Sequence, residues 1–345
     1  MATPVMIAVL CSLALLTGWS VSHEPLTLQM RPAGKARSTI AFASTRDNPA
    51  TMPGFVTTGE IYLMNDDGSD LRRLTNNRVS DIFPSLSPDG TKIIFESNRR
   101  RSAGEPSNVS DLFLMNTDGM EQTWLRRGSG ATWSPDGTSI AFHASASGDG
   151  LPATPYPGSA TVDSDVFIVS LRDVVDRKAA PRNITNNPTA VDDDPDWSPD
   201  GRTIIFTSHT ATEDYRNATG AEIYAISAEA PGKPNALTSN TDEERAPAWS
   251  PDGTRIVFCC RRGTKPDFDI CVMNADGSGE RKLTDSPLGD LTPSWSPDGM
   301  KIVFHRSKGK GLGWDLWVVN VNGTGESRLT DAPGLNGFAS WGEMP

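Results

Sequence analysis

The 345-residue chain carries 32 Lys and Arg against 43 Asp and Glu, a net charge of −11, which disfavours nucleic acid and anionic membranes as partners because their phosphates repel it. Its 31 Gly and 26 Pro exceed average usage and its 37% hydrophobic content falls below it. Gly or Pro interrupts almost every stretch of helical length, which excludes long amphipathic helices.

In chain order, the first feature is an apolar run of twelve residues, 5–16. Residues 1–22 are expected to be a secretory signal, too short to span a membrane, and 23–37 a linker. The mature chain is then expected in the periplasm or outside the cell, with no transmembrane segment. No Lys or Arg precedes the run, so a mis-started N-terminus is the alternative. Leu10 stands before Cys11 where a lipoprotein signal needs a small residue, which argues against a lipid anchor. Once Cys11 has left with the signal, Cys259, Cys260 and Cys271 remain, without the spacing of a metal site. Cys259 and Cys271 flank a short loop and are read either as a bridge across a hairpin or as buried thiols. Asn108, Asn183, Asn217 and Asn322 begin Asn-x-Ser/Thr triplets, relevant only in a eukaryotic secretory host.

The body of the chain is repetitive. Ser-Pro-Asp-Gly begins at Ser87, Ser134, Ser198, Ser250 and Ser296, each time after Leu86, Trp133, Trp197, Trp249 or Trp295. A β-rich Ile-x-Phe segment follows, ending in Phe95, Phe142, Phe206, Phe258 and Phe304. A sixth copy, Ile40-Ala41-Phe42, lacks the turn before it, and the missing half stands at the other end as Ala339-Ser340-Trp341-Gly342. Next comes an apolar strand carrying Tyr62, Phe113, Phe167, Tyr224, Cys271 or Trp317, read as core packing between units. A turn and a Leu-Thr pair such as Leu74-Thr75 or Leu329-Thr330 close the unit. Pro presets φ at the first corner of each turn and Gly permits positive φ at its end. The five Asp of these turns are therefore structural. Steps of 47, 64, 52, 46 and 46 residues separate the Trp/Leu markers, the spacing of propeller blades.

The string Trp-Ser-Pro-Asp-Gly, Ile-x-Phe, Ile-Tyr-x-Met-Asn-x-Asp-Gly, Arg-x-Leu-Thr resembles the TolB-type propeller repeat, shared by the propellers of prolyl-oligopeptidase-like peptidases. The resemblance covers about residues 38–342. It implies an all-β fold: a six-bladed β-propeller over 38–345, with four-stranded antiparallel blades. The ring is closed by the C-terminal strand pairing with the N-terminal strands, which removes an open sheet edge. TolB carries a separate domain before its propeller, for which about 15 residues leave no room here. No G-x-S-x-G stretch exists, which argues against a serine peptidase.

Strand direction sorts the loops. The Ser-Pro-Asp-Gly turns share one face with the short turns between third and fourth strands. Longer loops at 46–59, 98–110, 145–163, 209–221, 261–267 and 307–314 share the other, where binding sites usually sit. The loop 145–163, with Tyr156 between two Pro, is read as a mobile loop or a lid. Five residues before each marker stand Asp81, Gly128, Asp192, Glu244, Asp290 and Asn336, expected around the channel mouth on the long-loop face. Asp193, Asp194, Asp242 and Glu243 lie beside two of them. Two readings compete: carboxylates accepting N–H bonds from a neighbouring blade, or an acid arc that binds a partner's Lys and Arg. The oxygen-only set Asp192, Glu244 and Asp290 would suit Ca²⁺. His143, His209 and His305 are weaker candidates, for a metal-dependent lyase site or as solvent-facing strand residues. The expected function is an exported, non-enzymatic, monomeric scaffold engaging a protein or polysaccharide at the long-loop face, with a Tol-Pal-like role implied by the resemblance. The alternative is a carbohydrate-active lyase or hydrolase at that channel mouth.

Overall fold

The computed structural model describes residues 37–47, 58–102, 110–145, 164–210, 220–263, 265–309 and 312–345. The expected signal, nearly all of the linker, Asn108, Asn217 and Tyr156 lie outside the described residues. Among the described residues the strands form six antiparallel groups of four. The second blade runs Asp81–Leu86, Lys92–Ser97, Asp111–Asn116, Thr123–Arg127, and the third, fifth and sixth repeat that order. The third and fourth are joined into one eight-stranded sheet by a single parallel pair, Ser164 with Val191. The first blade is assembled from both ends: Asn336–Met344 pairs antiparallel with Arg37–Ser44, which continues to Glu60–Asn65 and Arg72–Arg73. A helix, Leu171–Asp176, sits in the third blade, where the repeat step is longest; the Ser170 hydroxyl caps it by accepting the Asp173 amide.

Each conserved-looking word of the repeat has a physical job. In the first Ser-Pro-Asp-Gly turn the Ser87 hydroxyl donates to Asp89 at 2.6 Å and accepts the Lys92 amide at 2.9 Å. Asp89 also accepts the Thr91 amide at 3.0 Å. The same bonds recur at Asp136, Asp200, Asp252 and Asp298, so these Asp are structural. Their hydrogen bonds from the turn Ser hold them below the usual carboxylate range, Asp252 down to about 2. Gly90 has a second reason to be Gly: a Cβ there would lie 2.0 Å from the Glu343 carbonyl oxygen of the C-terminal strand. In the Leu-Thr pair, the Thr75 hydroxyl accepts the Ile61 amide at 2.9 Å and donates to Glu60 at 2.6 Å. Thr185 and Thr330 repeat this with Asp165 and Asp315, so the outer strand is bonded to an acid that begins the third strand.

The core is periodic as well. Phe42, Phe95, Phe142, Phe206, Phe258 and Phe304 are buried at equivalent positions. Tyr62, Phe113, Phe167 and Tyr224 stack across strands on the first four of these, with ring centroids 5.7–6.0 Å apart. These pairs lie within a blade and present a joint face to the preceding one, as Phe95 and Phe113 do to Ala41, Ile61 and Leu63. In the fifth blade Cys271 stands opposite Phe258.

The cysteine pairing differs from the sequence reading. Cys271 is bonded to Cys260, and Cys259 is a buried free thiol. Alternation along a strand is the reason: Cys260 shares the face of Cys271, while Cys259 points to the opposite face, among Val257, Trp295 and Phe304.

Two outcomes are expected. Deleting residues 336–345 removes the inner strand of the first blade and buried Phe338 and Trp341; a fall in melting temperature of about 10 °C or more follows from the loss of two buried aromatics, and an unchanged melt rejects closure by strand pairing. Alkylation of denatured, unreduced protein should label Cys259 and leave Cys260 and Cys271 unmodified until reductant is added, as read by peptide mass.

Candidate functional site

Five of the six inner strands run into the Ser-Pro-Asp-Gly turns, and the sixth, Asn336–Met344, ends at the same face without one. At their beginnings Asp81, Asp192, Glu244, Asp290 and Asn336 are all buried. They are held by side chains of their own blade and, at Asp192, Asp290 and Asn336, also of the preceding blade, through Thr185, Thr284 and Asp315. Asp81 pairs with Arg99 at 2.8 Å, and Asp290 takes Arg306 in a two-point bond at 2.6 and 2.7 Å. Glu244 pairs with Arg262. Asp192 accepts the Ser208 hydroxyl at 2.5 Å, and Asn336 accepts Ser44 at 2.7 Å and Arg46 at 3.0 Å. The bonds that hold these five residues run to side chains and not to backbone amides of a neighbouring blade. A signal for this was present: Arg46, Arg99 and Arg262 each stand four residues after the Phe of Ile-x-Phe, whereas Arg306, the partner of Asp290, stands two after Phe304. Among the described residues no three His, Cys, Asp or Glu are grouped to hold a metal ion.

Two residues further along, every inner strand breaks its ladder. Phe83, Gly130, Asp194, Ala246, Thr292 and Phe338 all have φ between 48° and 59°, and the pairing register shifts there. Such bulges turn an amide out of the ladder. The freed amide reaches the residue just after the Phe of the preceding blade: Gly130 to Glu96 at 2.7 Å, Ala246 to Thr207 at 3.1 Å, Thr292 to the Cys259 sulfur at 3.3 Å, Phe338 to His305 at 3.5 Å. The His143 ring nitrogen Nδ1, at the equivalent place before Asp194, has no hydrogen-bond partner among the described residues.

This level of the axis has two chemical halves. On one side the Phe83 and Phe338 rings stack at 4.0 Å, with Trp314 and His305 packed against Phe338. On the other, the fourth and fifth blades supply Asp193, Asp194 and Arg245. His209 Nε2 lies 3.8 Å from Asp193. Burial works against the Asp193 charge, but His209, His143 and Arg245 outweigh it and hold its carboxyl below the usual range. Burial and the neighbouring Asp193 charge push Asp194 up to about 8. Burial pushes Glu96 up to about 7, and His305 down to about 3. The three histidines are thus buried, not solvent-facing. His143 and His209 meet around Asp193, while His305 sits against Thr292, Trp314 and Phe338.

The inner strands end around a cavity of about 440 Å³ at the Ser-Pro-Asp-Gly face, lined from all six blades. Ser85, Thr132, Asp196, Ala248, Ser294 and Ser340 form one ring of its wall, and Trp133, Trp249, Trp295 and Trp341 the next. Bonds between blades tie the ring: the Leu86 amide to Ser340 at 3.1 Å, the Trp341 amide to Ser294 at 3.2 Å, the Trp249 amide to Asp196 at 2.7 Å. Thr132 donates to the other Asp196 oxygen at 3.1 Å. Burial raises Asp196 to about 6. Sequence reasoning missed this cavity because its turns are short and uniform. A smaller polar cavity, about 210 Å³, lies by Thr45, Glu60, Arg73 and Asn77.

Against known proteins, the family model of the TolB beta propeller domain matches residues 158–345, more than half of the sequence. The chain belongs to the TolB-type propeller family. A Tol-Pal system protein TolB from Anaeromyxobacter dehalogenans is 37% identical over 99 residues, which span 28% of this chain and 20% of that protein. The matched part thus spans about a fifth of such relatives. The solved structure of TolB from Acinetobacter baumannii superposes with a TM-score of 0.66 at 21% identity, over 89% of this chain and 67% of that one. Hydrazine synthase from Kuenenia stuttgartiensis reaches 0.62 at 14% identity, over 89% of this chain and 47% of that one. These likenesses establish the fold, which proteins of different activity share.

Asp194 makes a testable pH dependence. Its folded-state value is raised, so between about pH 4 and 8 the folded protein keeps a proton that the unfolded chain releases. Stability therefore falls as pH rises through that window. Neutral, buried His143 and His305 oppose this trend only below their ordinary value of 6.5. The melting temperature should decline from pH 6.5 to 8 and level off above, and Asp194→Asn should flatten the decline above pH 7, below which Glu96 contributes as well. A wild-type melt that rises across this interval contradicts the assignment.

Proposed function

We propose that the chain is an exported, non-enzymatic binding scaffold that receives a segment of a protein partner in the axial cavity at the Ser-Pro-Asp-Gly face. The observation that carries this reading is the cavity: about 440 Å³, built by every blade, with aromatic and polar groups at its wall. A protein partner is favoured over a polysaccharide by the relatives named as Tol-Pal system proteins. Export is supported by the apolar run at 5–16 and by the Cys260–Cys271 disulfide, a bond at home in an oxidising compartment. A monomer is supported by the outer strands, of which Arg72–Arg73, Arg182–Asn183, Asn235–Ala236, Arg281–Lys282 and Ser327–Arg328 are two residues long, too short to template edge pairing. The carbohydrate-active alternative would need free acid–base groups at the acid end, where Asp81, Glu244 and Asp290 are engaged by arginines.

The test is recovery of a partner from native envelope or medium with three baits. Filling the cavity by Ala248→Phe should cut recovery about tenfold or more, the equivalent of about 1.4 kcal/mol, at a melting temperature near that of the wild type. The triple variant Asp192→Asn, Glu244→Asn, Asp290→Asn, at the other end of the axis, should recover the partner as the wild type does if it stays folded. Equal recovery with Ala248→Phe and wild type retires axial docking.

A further inference from the structure

The acids along the inner strands are not all treated alike. At the strand beginnings Asp81, Glu244 and Asp290 each have an arginine, while Asp192 takes the Ser208 hydroxyl. In the cavity, Asp196 has no arginine either: its two oxygens are occupied by the Trp249 amide and the Thr132 hydroxyl, both neutral donors. Among the described residues, the charged ones in the cavity lining are Asp196 and Glu343, both acidic. Arg255 stacks on the Trp295 ring, with its centre 5.0 Å from the ring centroid, but does not line the cavity. The remaining wall is dominated by the four tryptophans and small hydroxyl residues. A carboxylate with no counter-charge inside an aromatic-lined recess favours an incoming cation: the ring faces and edges tolerate the alkyl stem, the π-systems attract the charge, and the acid neutralises it.

We propose that the axial cavity is a receptor for one organic cation on an alkyl stem, the ammonium of a lysine or the guanidinium of an arginine in the docking segment, with Asp196 as its counter-ion and Glu343 at the rim. This rests on the docking reading above and gives it a chemistry: the partner's inserted tip is basic. It also gives the chain's acidity a local use, because an anionic or neutral tip would leave Asp196 without a counter-charge.

The experiment uses defined probes. Nα-acetyl-lysine methylamide, its Nε-acetylated neutral counterpart and Nα-acetyl-arginine methylamide are titrated into the full chain, with the tryptophan indole N–H signals followed by NMR and Trp249 assigned through Trp249→Phe. The lysine or the arginine probe should shift the Trp249 signal saturably, the responding probe naming the cation, and the acetylated probe should not. Asp196→Asn retains an oxygen for the Trp249 amide and should weaken binding tenfold or more. Glu343→Gln, an exposed position, should weaken it severalfold and guards against a misfolded Asp196 variant. Thr132→Val, which leaves the carboxylate charged, should still bind. Equal shifts from the acetylated and cationic lysine probes, or full binding by a folded Asp196→Asn chain, overturn the proposal. If Ala248→Phe abolishes partner recovery while no cation binds, docking stands and the cation reading falls. If a cation binds through Asp196 while Ala248→Phe still recovers the partner, the cation site stands and docking falls.

Discussion

The fold depends on what happens at the free edge of each inner strand. An inner strand pairs with its own blade on one side only, and its other edge faces the axis, where unpaired amides are costly. The positive-φ bulge at Phe83, Gly130, Asp194, Ala246, Thr292 and Phe338 answers that constraint. At four of the six seams it turns an amide into a hydrogen bond with a side chain of the preceding blade. Neighbouring blades are thus registered by a polar contact at the axis, while the phenylalanines set their spacing further out. Non-glycine residues in this conformation are strained, and the strain is tolerated because the surrounding sheets over-determine it.

The same economy governs charge. Much of the acidic excess lies inside, at the start of the inner and third strands, where each carboxylate meets an arginine, a lysine, a threonine or an asparagine. Pairs of this kind do little for net stability, but removing one partner leaves a buried charge without compensation. They fix which strand lies beside which. On the inner strand of the fourth blade, Asp192 and Asp196 have neutral donors: Ser208 for the first, Thr132 and the Trp249 amide for the second.

Much of this was legible in the sequence. Ser-Pro-Asp-Gly, Ile-x-Phe and Leu-Thr announce turn, core and outer strand because each encodes a local physical requirement, and their split first copy announces how the two ends meet. The partner of Cys271 was not read, although alternation of faces separates Cys259 from Cys260. The acids were read as a group and their arginines were not, since Arg99 and Asp81 become neighbours only through the pairing of two strands. The bulge had only a faint trace, the proline after Phe83, Asp194, Ala246 and Thr292; nothing in Phe or Thr itself signals positive φ. The cavity arises where six strand ends converge, a property of the ring and not of any segment.

The split first blade also imposes an order in time. Arg37–Ser44 is made first among the described strands, yet its inner-side partner is Asn336–Met344, with Ser44 bonded to Asn336 across 292 residues of chain. During synthesis, the strand carrying Ile40, Ala41, Phe42 and Ala43 must wait with one edge unmatched while five blades are made. Such a strand is open to pairing with another nascent copy. The longer that interval, the longer the edge is exposed, so yield becomes a matter of kinetics as well as of final stability.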